Sequence, residues 1–82
     1  MVYEVYAMRD TRTEFLNPVC EPNQYSAVRH FAMAVQKTGT DMNFCPSDFD
    51  LYKIAIYDTE SGVMDPVVPI EFVCNGGSLN EV

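Results

Sequence analysis

The chain writes one pattern twice. "AMRDTRTEFLNPV" (Ala7–Val19) returns without a gap, 48 residues on, as "AIYDTESGVMDPV" (Ala55–Val67). Ala7/Ala55, Asp10/Asp58, Thr11/Thr59, Pro18/Pro66 and Val19/Val67 are identical, and Met8/Ile56, Thr13/Ser61, Phe15/Val63, Leu16/Met64 and Asn17/Asp65 match in kind. The runs leading into the turns, "VYEVYAMR" and "LYKIAIYD", are rich in the β-branched and aromatic residues that suit strands. Asp then begins a turn, because its carboxylate can bond the backbone two residues on. Proline has no N–H to give a ladder, so each returning strand must be short or lie at an edge. Two strand–turn–strand units in so short a chain leave few folds open.

Between them lies a helix. Asn23 after Pro22 is a good N-cap and Gly39 a good stop. Ala27, Val28, Phe31, Ala34 and Val35 recur at three- and four-residue spacing as one apolar stripe, with Gln24, His30, Gln36 and Lys37 largely on the other side. "TGTDMNFCPSDFD" (Thr38–Asp50) predicts a loop with one turn at Pro46–Phe49, capped by Ser47 or Asp48, and Phe44 and Phe49 tucked under the domain edge. Its Asp41, Asp48 and Asp50 lack the spacing, central Gly and closing Glu of an EF-hand loop.

This order predicts an α+β fold: a small antiparallel sheet of about four strands in hairpin-like pairs, with one helix packed on one face. Parallel pairing of the two long strands stays open, since the helix can serve as a crossover. Residues 1–75 form the single expected domain, and 76–82, Gly-rich and polar, an expected flexible tail.

Strand periodicity then assigns faces. Tyr6, Met8, Ile54 and Ile56 are expected to meet the helix. Tyr3, Val5, Ala7 and Arg9, with Leu51, Lys53, Ala55 and Tyr57, are expected opposite. That second face mixes rings with cations around small residues, so Tyr3, Arg9, Arg12, Lys53 and Tyr57 form the candidate binding set. Single-stranded bases could stack on Tyr3 and Tyr57 while Arg9, Arg12 and Lys53 meet phosphates. The same composition suits a protein interface.

Charge argues against a general nucleic-acid binder: 5 Lys and Arg against 12 Asp and Glu leave a net −7. Such acidity favours a basic protein partner, even an acidic protein that mimics DNA and binds a host factor. Cys20, Cys45 and Cys74 are too scattered for a zinc site and are expected as free, buried thiols in a reducing cytoplasm. His30 stands alone and is expected at the surface. No nucleophile elbow, P-loop or Cys–His pair at recognisable spacing is present, so no enzyme and no cofactor are expected. "MVYEVYAMRD" lacks the features of a signal peptide, and no apolar run is long enough to span a membrane. A thin core and interrupted edge strands favour a homo-oligomer.

"YEVYAMRDTRTEF" (Tyr3–Phe15), "AVRHFAMAVQ" (Ala27–Gln36) and "PSDFDLYKIAIYDTESGVMDP" (Pro46–Pro66) resemble the small non-structural protein of gokushovirus-type microviruses, tailless phages with single-stranded DNA genomes. The shared pattern is V-Y-A-x-R-D at Val5–Asp10, R-x-F at Arg29–Phe31, D-[FY]-D-L-[FY]-x-I at Asp48–Ile54, and Y-D-T-x-[ST]-G at Tyr57–Gly62. The resemblance runs over nearly all the chain apart from its C-terminal end. It implies a protein made in the cytoplasm of the infected bacterium and absent from the mature virion. It also implies a role in viral DNA synthesis, at the switch to making and packaging single-stranded genomes. The implied partners are phage replication or capsid-assembly proteins and single-stranded DNA.

Overall fold

The computed structural model describes residues 1–79. Four strands, β1 (Val2–Asp10), β2 (Val19–Glu21), β3 (Phe49–Asp58) and β4 (Met64–Asn75), form one sheet in the order β2-β1-β3-β4. Every neighbouring pair is antiparallel, which settles the pairing of the two long strands. Helix α1 (Gln24–Gln36) and a single turn, α2 (Asp41–Phe44), lie between β2 and β3. The expected α+β architecture is the one observed.

The repeated sequence marks matching positions on the two central strands. Asp10 Oδ1 accepts the Arg12 N–H at 3.0 Å, and Asp58 Oδ1 accepts the Glu60 N–H at 2.9 Å. The threonines that follow match as well. Thr11 donates its N–H and hydroxyl to the Asp48 carbonyl, at 2.9 and 2.8 Å. Thr59 donates the same two groups to the Met1 carbonyl, at 2.9 and 3.0 Å. Each Asp-Thr turn thus closes the end of one central strand and clasps the chain entering the other, so the repeat is a structural device.

Helix α1 begins where the cap predicts, with Asn23 Oδ1 accepting the Ser26 N–H at 2.9 Å. It buries Ala27, Phe31 and Val35, four residues apart, on the stripe expected. Gly39, at φ +85°, turns the chain into α2, where Thr40 Oγ1 accepts the Asn43 N–H at 3.1 Å. Thr40, not Ser47 or Asp48, is therefore the side-chain cap of this region; the 3-10 turn at Pro46–Asp48 has none. Asn43 then ties α2 back to the Val35 carbonyl at 3.0 Å.

The core cluster joins Tyr6, Phe49 and Leu51 from the sheet to Ala27, Phe31, Val35 and Met42 from the helices. Phe44 is a correction. It does not tuck under the edge but is 87% exposed, because α2 turns Met42 inward instead. The tail also differs from expectation. Gly76–Leu79 form a 3-10 turn with Gly76 buried and Leu79 against the core, so the fold extends past residue 75. The remainder of the expected tail, 80–82, lies outside the described residues. Cys20 is exposed rather than buried, while Cys45 and Cys74 are half-buried. No helix among the described residues is long and apolar enough to cross a membrane.

Proline acts on both returning strands. β2 begins only after Pro18 and pairs through three residues, Val19–Glu21. Before it, the loop rejoins β1 by a single bridge, Phe15 to Arg9. In β4 the ladder passes from Pro66, opposite Ala55, to Glu71, opposite Lys53. Val67–Ile70 therefore stand against one residue, Ile54, and bow out of register, leaving Val68 84% exposed.

Candidate functional site

Two residues of β3 decide what the sheet presents. Val5 pairs with Ala55 but Tyr6 pairs with Lys53, so Ile54 is an extra residue in β3. A bulge of this kind breaks the two-residue period, and side chains beyond it change face. Before the bulge, Phe49 and Leu51 join the helix-side core and Tyr52 points to the opposite side, beside Ala7. After it, Ala55 and Tyr57 take the helix-free side, opposite Val5 and Tyr3.

Of the expected set, Tyr3 and Tyr57 are direct cross-strand partners on the helix-free face. Arg9 shares that face at the other end of β1, its guanidinium 5.3 Å from the Phe15 ring centroid and its strand partner Asp50. Lys53 and Leu51 are corrections: the bulge puts both on the helix side. The Lys53 ammonium lies 3.7 Å from Glu4 Oε2, with its side chain 20% exposed. Arg12 is not on the sheet at all. It stands in the turn after β1, 3.6 Å from Asp48 Oδ1, and lines a cleft of about 180 Å³ with Asp10, Asp41, Phe44, Cys45 and Phe49. The structure thus keeps the Tyr3–Tyr57 pair and Arg9 on one surface and removes Lys53 and Arg12 from it.

That surface holds rings that face assignment from an unbroken period misses. Phe15, Tyr52 and Phe72 form a row, with centroids 5.6 and 5.7 Å apart and edge-to-face planes at 66° and 77°. They come from a loop, β3 and β4. Tyr52 is displaced to this side by the bulge, and Phe15 is delivered by its bridge to Arg9. Val5, Ala7 and Ala55 are buried yet stand outside the helix-side cluster, so neighbouring side chains on the helix-free side already cover them. Phe15 and Phe72 keep 42% and 56% of their surface in solvent.

The helix side is polar where α1 does not cover it. Tyr6, buried, donates its hydroxyl to Glu4 Oε1 at 2.6 Å. Burial first, then that hydrogen bond and the charges of Glu4, Glu71 and Glu21, push its phenol well above the ordinary tyrosine range. Glu21, across the strand pair from Glu4, is also buried; His30 Nδ1 meets both its oxygens, at 2.8 and 3.1 Å. His30 is at the surface, as expected, but its ring serves to satisfy Glu21. A Glu directly before the Pro-Asn helix entry was the available signal for this pair.

The cations are largely engaged. Arg9 has Phe15, Arg12 has Asp48, Lys53 has Glu4, and Arg29 lies 4.8 Å from the Tyr25 ring, where it lowers the tyrosine's pKa. Among the described carboxylates, Glu4 and Glu21 lie on the helix side, Asp10, Asp41 and Asp48 line the cleft, Asp58 and Glu60 belong to the far turn, and Asp50 stands opposite Arg9. Among the described residues no His, Cys, Asp and Glu group has the arrangement of a metal site.

Residues 3–79 match the family model described as phage ORF5 protein, and the chain belongs to that family. No curated protein and no solved structure matches it.

Proposed function

We propose, from membership of the phage ORF5 family, that this phage accessory protein acts in viral single-stranded DNA synthesis or genome packaging. It belongs to the gokushovirus-type non-structural proteins, has no catalytic role of its own, works in the cytoplasm of the infected bacterium and stays out of the mature virion. Its working surface is the helix-free sheet face, through which it engages single-stranded DNA or the replication and assembly proteins.

The observation that carries this reading is the concentration of rings on the side of the sheet that no helix covers. Phe15, Tyr52 and Phe72 stand in one row and Tyr3 and Tyr57 in a pair, with Phe15 and Phe72 exposed. Tyrosine, phenylalanine and arginine are also the residues that partner surfaces favour. A DNA-mimicking acidic protein would instead present free carboxylates, and here Glu4, Glu21 and Asp48 are engaged by the chain's own Lys53, His30 and Arg12.

Self-association is part of the reading, supported by the exposed Val68 and Ile70 of the bowed segment of β4. Sedimentation at micromolar concentration should show a species larger than the 9.3 kDa monomer. The functional test is genetic. Phage carrying Tyr52→Ala with Phe72→Ala should make and package less single-stranded genome than wild type, with the purified variant still folded by circular dichroism. Wild-type genome yields from a folded variant would defeat the proposed role of the face.

A further inference from the structure

The cleft of about 180 Å³ between the turn after β1 and the α2 region shares no residue with the helix-free face. We infer that this cleft is a docking site for an arginine side chain of a basic partner protein. Asp10, Asp41 and Asp48 supply three carboxylates against one cation, Arg12, and Phe44 supplies a ring that is 87% exposed. That ring is held in place by its turn. The Phe44 N–H donates to the Thr40 carbonyl at 3.0 Å, and Asn43 ties the same turn to the Val35 carbonyl at 3.0 Å. Thr11 clasps Asp48 by its carbonyl alone, which leaves the Asp48 carboxylate for other partners.

The chain's own contacts show which cation the cleft draws. Arg12 already leans on Asp48, its Nε 3.6 Å from Oδ1, with 77% of its side chain in solvent. A charge-assisted hydrogen bond would be about 2.7–2.9 Å long, so this guanidinium is a loose and displaceable occupant. One Asp10 oxygen accepts the Arg12 backbone N–H, but neither Asp10 nor Asp41 makes an ion pair among the described residues. A bare metal ion fits poorly, because no group of His, Cys, Asp and Glu among the described residues is arranged to hold one. A guanidinium fits well: its flat face stacks on a ring while its five N–H donors reach carboxylates spread around its edge. The ammonium of lysine is a point charge without that plane. Size selects a side chain as well, since small-molecule sites run to roughly 300–1,000 Å³, larger than this cleft. A net charge of −7 favours approach of a basic protein.

The experiment is an NMR titration of the full, isotope-labelled chain with two capped tripeptides, acetyl-Gly-Arg-Gly-amide and acetyl-Gly-Lys-Gly-amide, at millimolar concentration. The arginine peptide should shift the amides of Asp41, Phe44, Cys45 and Asp48 in a saturating curve. The lysine peptide should bind more weakly, by about threefold or more, for want of a stacking plane. Phe44→Leu keeps an apolar side chain at the same exposed place and removes only the ring. It should weaken arginine binding about 2- to 5-fold, the equivalent of the ~0.5–1 kcal/mol of a cation–ring contact at an exposed site. Arg12→Gln removes the resident cation and should tighten binding. Arg29→Gln makes the same change of charge on α1, beside Tyr25, and should leave binding as it is. Equal affinity for the two peptides, or shifts scattered over the surface and insensitive to Phe44→Leu, overturns the proposal in favour of general attraction to an acidic protein. Equal tightening by the two arginine variants overturns it in the same way, and so does the absence of any shift. None of these outcomes bears on the sheet face, whose role the infection assay tests separately.

Discussion

The Asp58 carboxylate holds the far turn by accepting the Glu60 N–H at 2.9 Å. The Glu60 N–H holds its pKa below the usual carboxylate range, with further help from Ser61. Because the folded value is depressed, its contribution is present above the unfolded carboxylate range of about 3.9 and is lost as pH falls through the lower folded value. Asp58→Asn keeps an acceptor oxygen for the turn but cannot titrate. Thermal melts from about pH 2 to 6 should therefore show a flatter acid limb for the variant than for the wild type. His30 makes the opposite kind of contribution, through a neighbour it rescues. His30→Ala leaves the Glu21 carboxylate buried, facing Glu4 and without its donor, and should cost about 1–3 kcal/mol in urea unfolding. Adding Glu21→Gln should recover much of that loss, and a strictly additive double variant would show that the two side chains do not couple.

At the scale of elements, the helix and its cap are legible because they are local: Asn23, Phe31 and Val35 act through spacing along one segment. The Asp-Thr turns are legible for the same reason, since each bonds its own backbone two residues on. Partners at long range are not. Nothing local tells that Thr11 will clasp Asp48 or Thr59 clasp Met1. The end of the chain shows this limit most plainly. "NGGSL" has a loop's composition, yet Gly76 sits so close to the Pro46 carbonyl oxygen that a Cβ would collide with it, with Val35 Cγ2 3.2 Å away on another side. Gly76→Ala should destabilise the domain by about 1–3 kcal/mol and shift the NMR resonances around Ser47. A neutral substitution would mean that Gly76–Leu79 do not pack as described.

Across the whole molecule, stability is unevenly placed. The chain measures 40 × 22 × 18 Å, and its helices cover the end of the sheet that carries Tyr6, Phe49 and Leu51. The other end, with Tyr3, Tyr57 and the turn after β3, has sheet hydrogen bonds but no helix over it. Local opening follows the density of buried contacts. Native-state hydrogen exchange should therefore find the amides of Ile56–Asp58 exchanging well before those of Tyr6 and Leu51, and equal protection would refute this division.

The two long strands, the Asp-Thr turns, helix α1 and the edge placement of the proline-bearing strands follow from sequence alone because propensity, capping and a missing N–H act over a few residues, whereas α2 and the turn at Gly76–Leu79 do not. Which residues share a sheet face does not follow either. Sequence periodicity places Tyr3, Arg9 and Tyr57 correctly but puts Lys53 with them and leaves Tyr52 out, since one extra residue, Ile54, changes the face of everything beyond it. The bulge exists only where β3 meets β1 and β4, and Phe15 and Phe72 join Tyr52 only once loop and edge strand have folded against it. Registry between strands is a long-range property, so the aromatic face is decided by tertiary pairing.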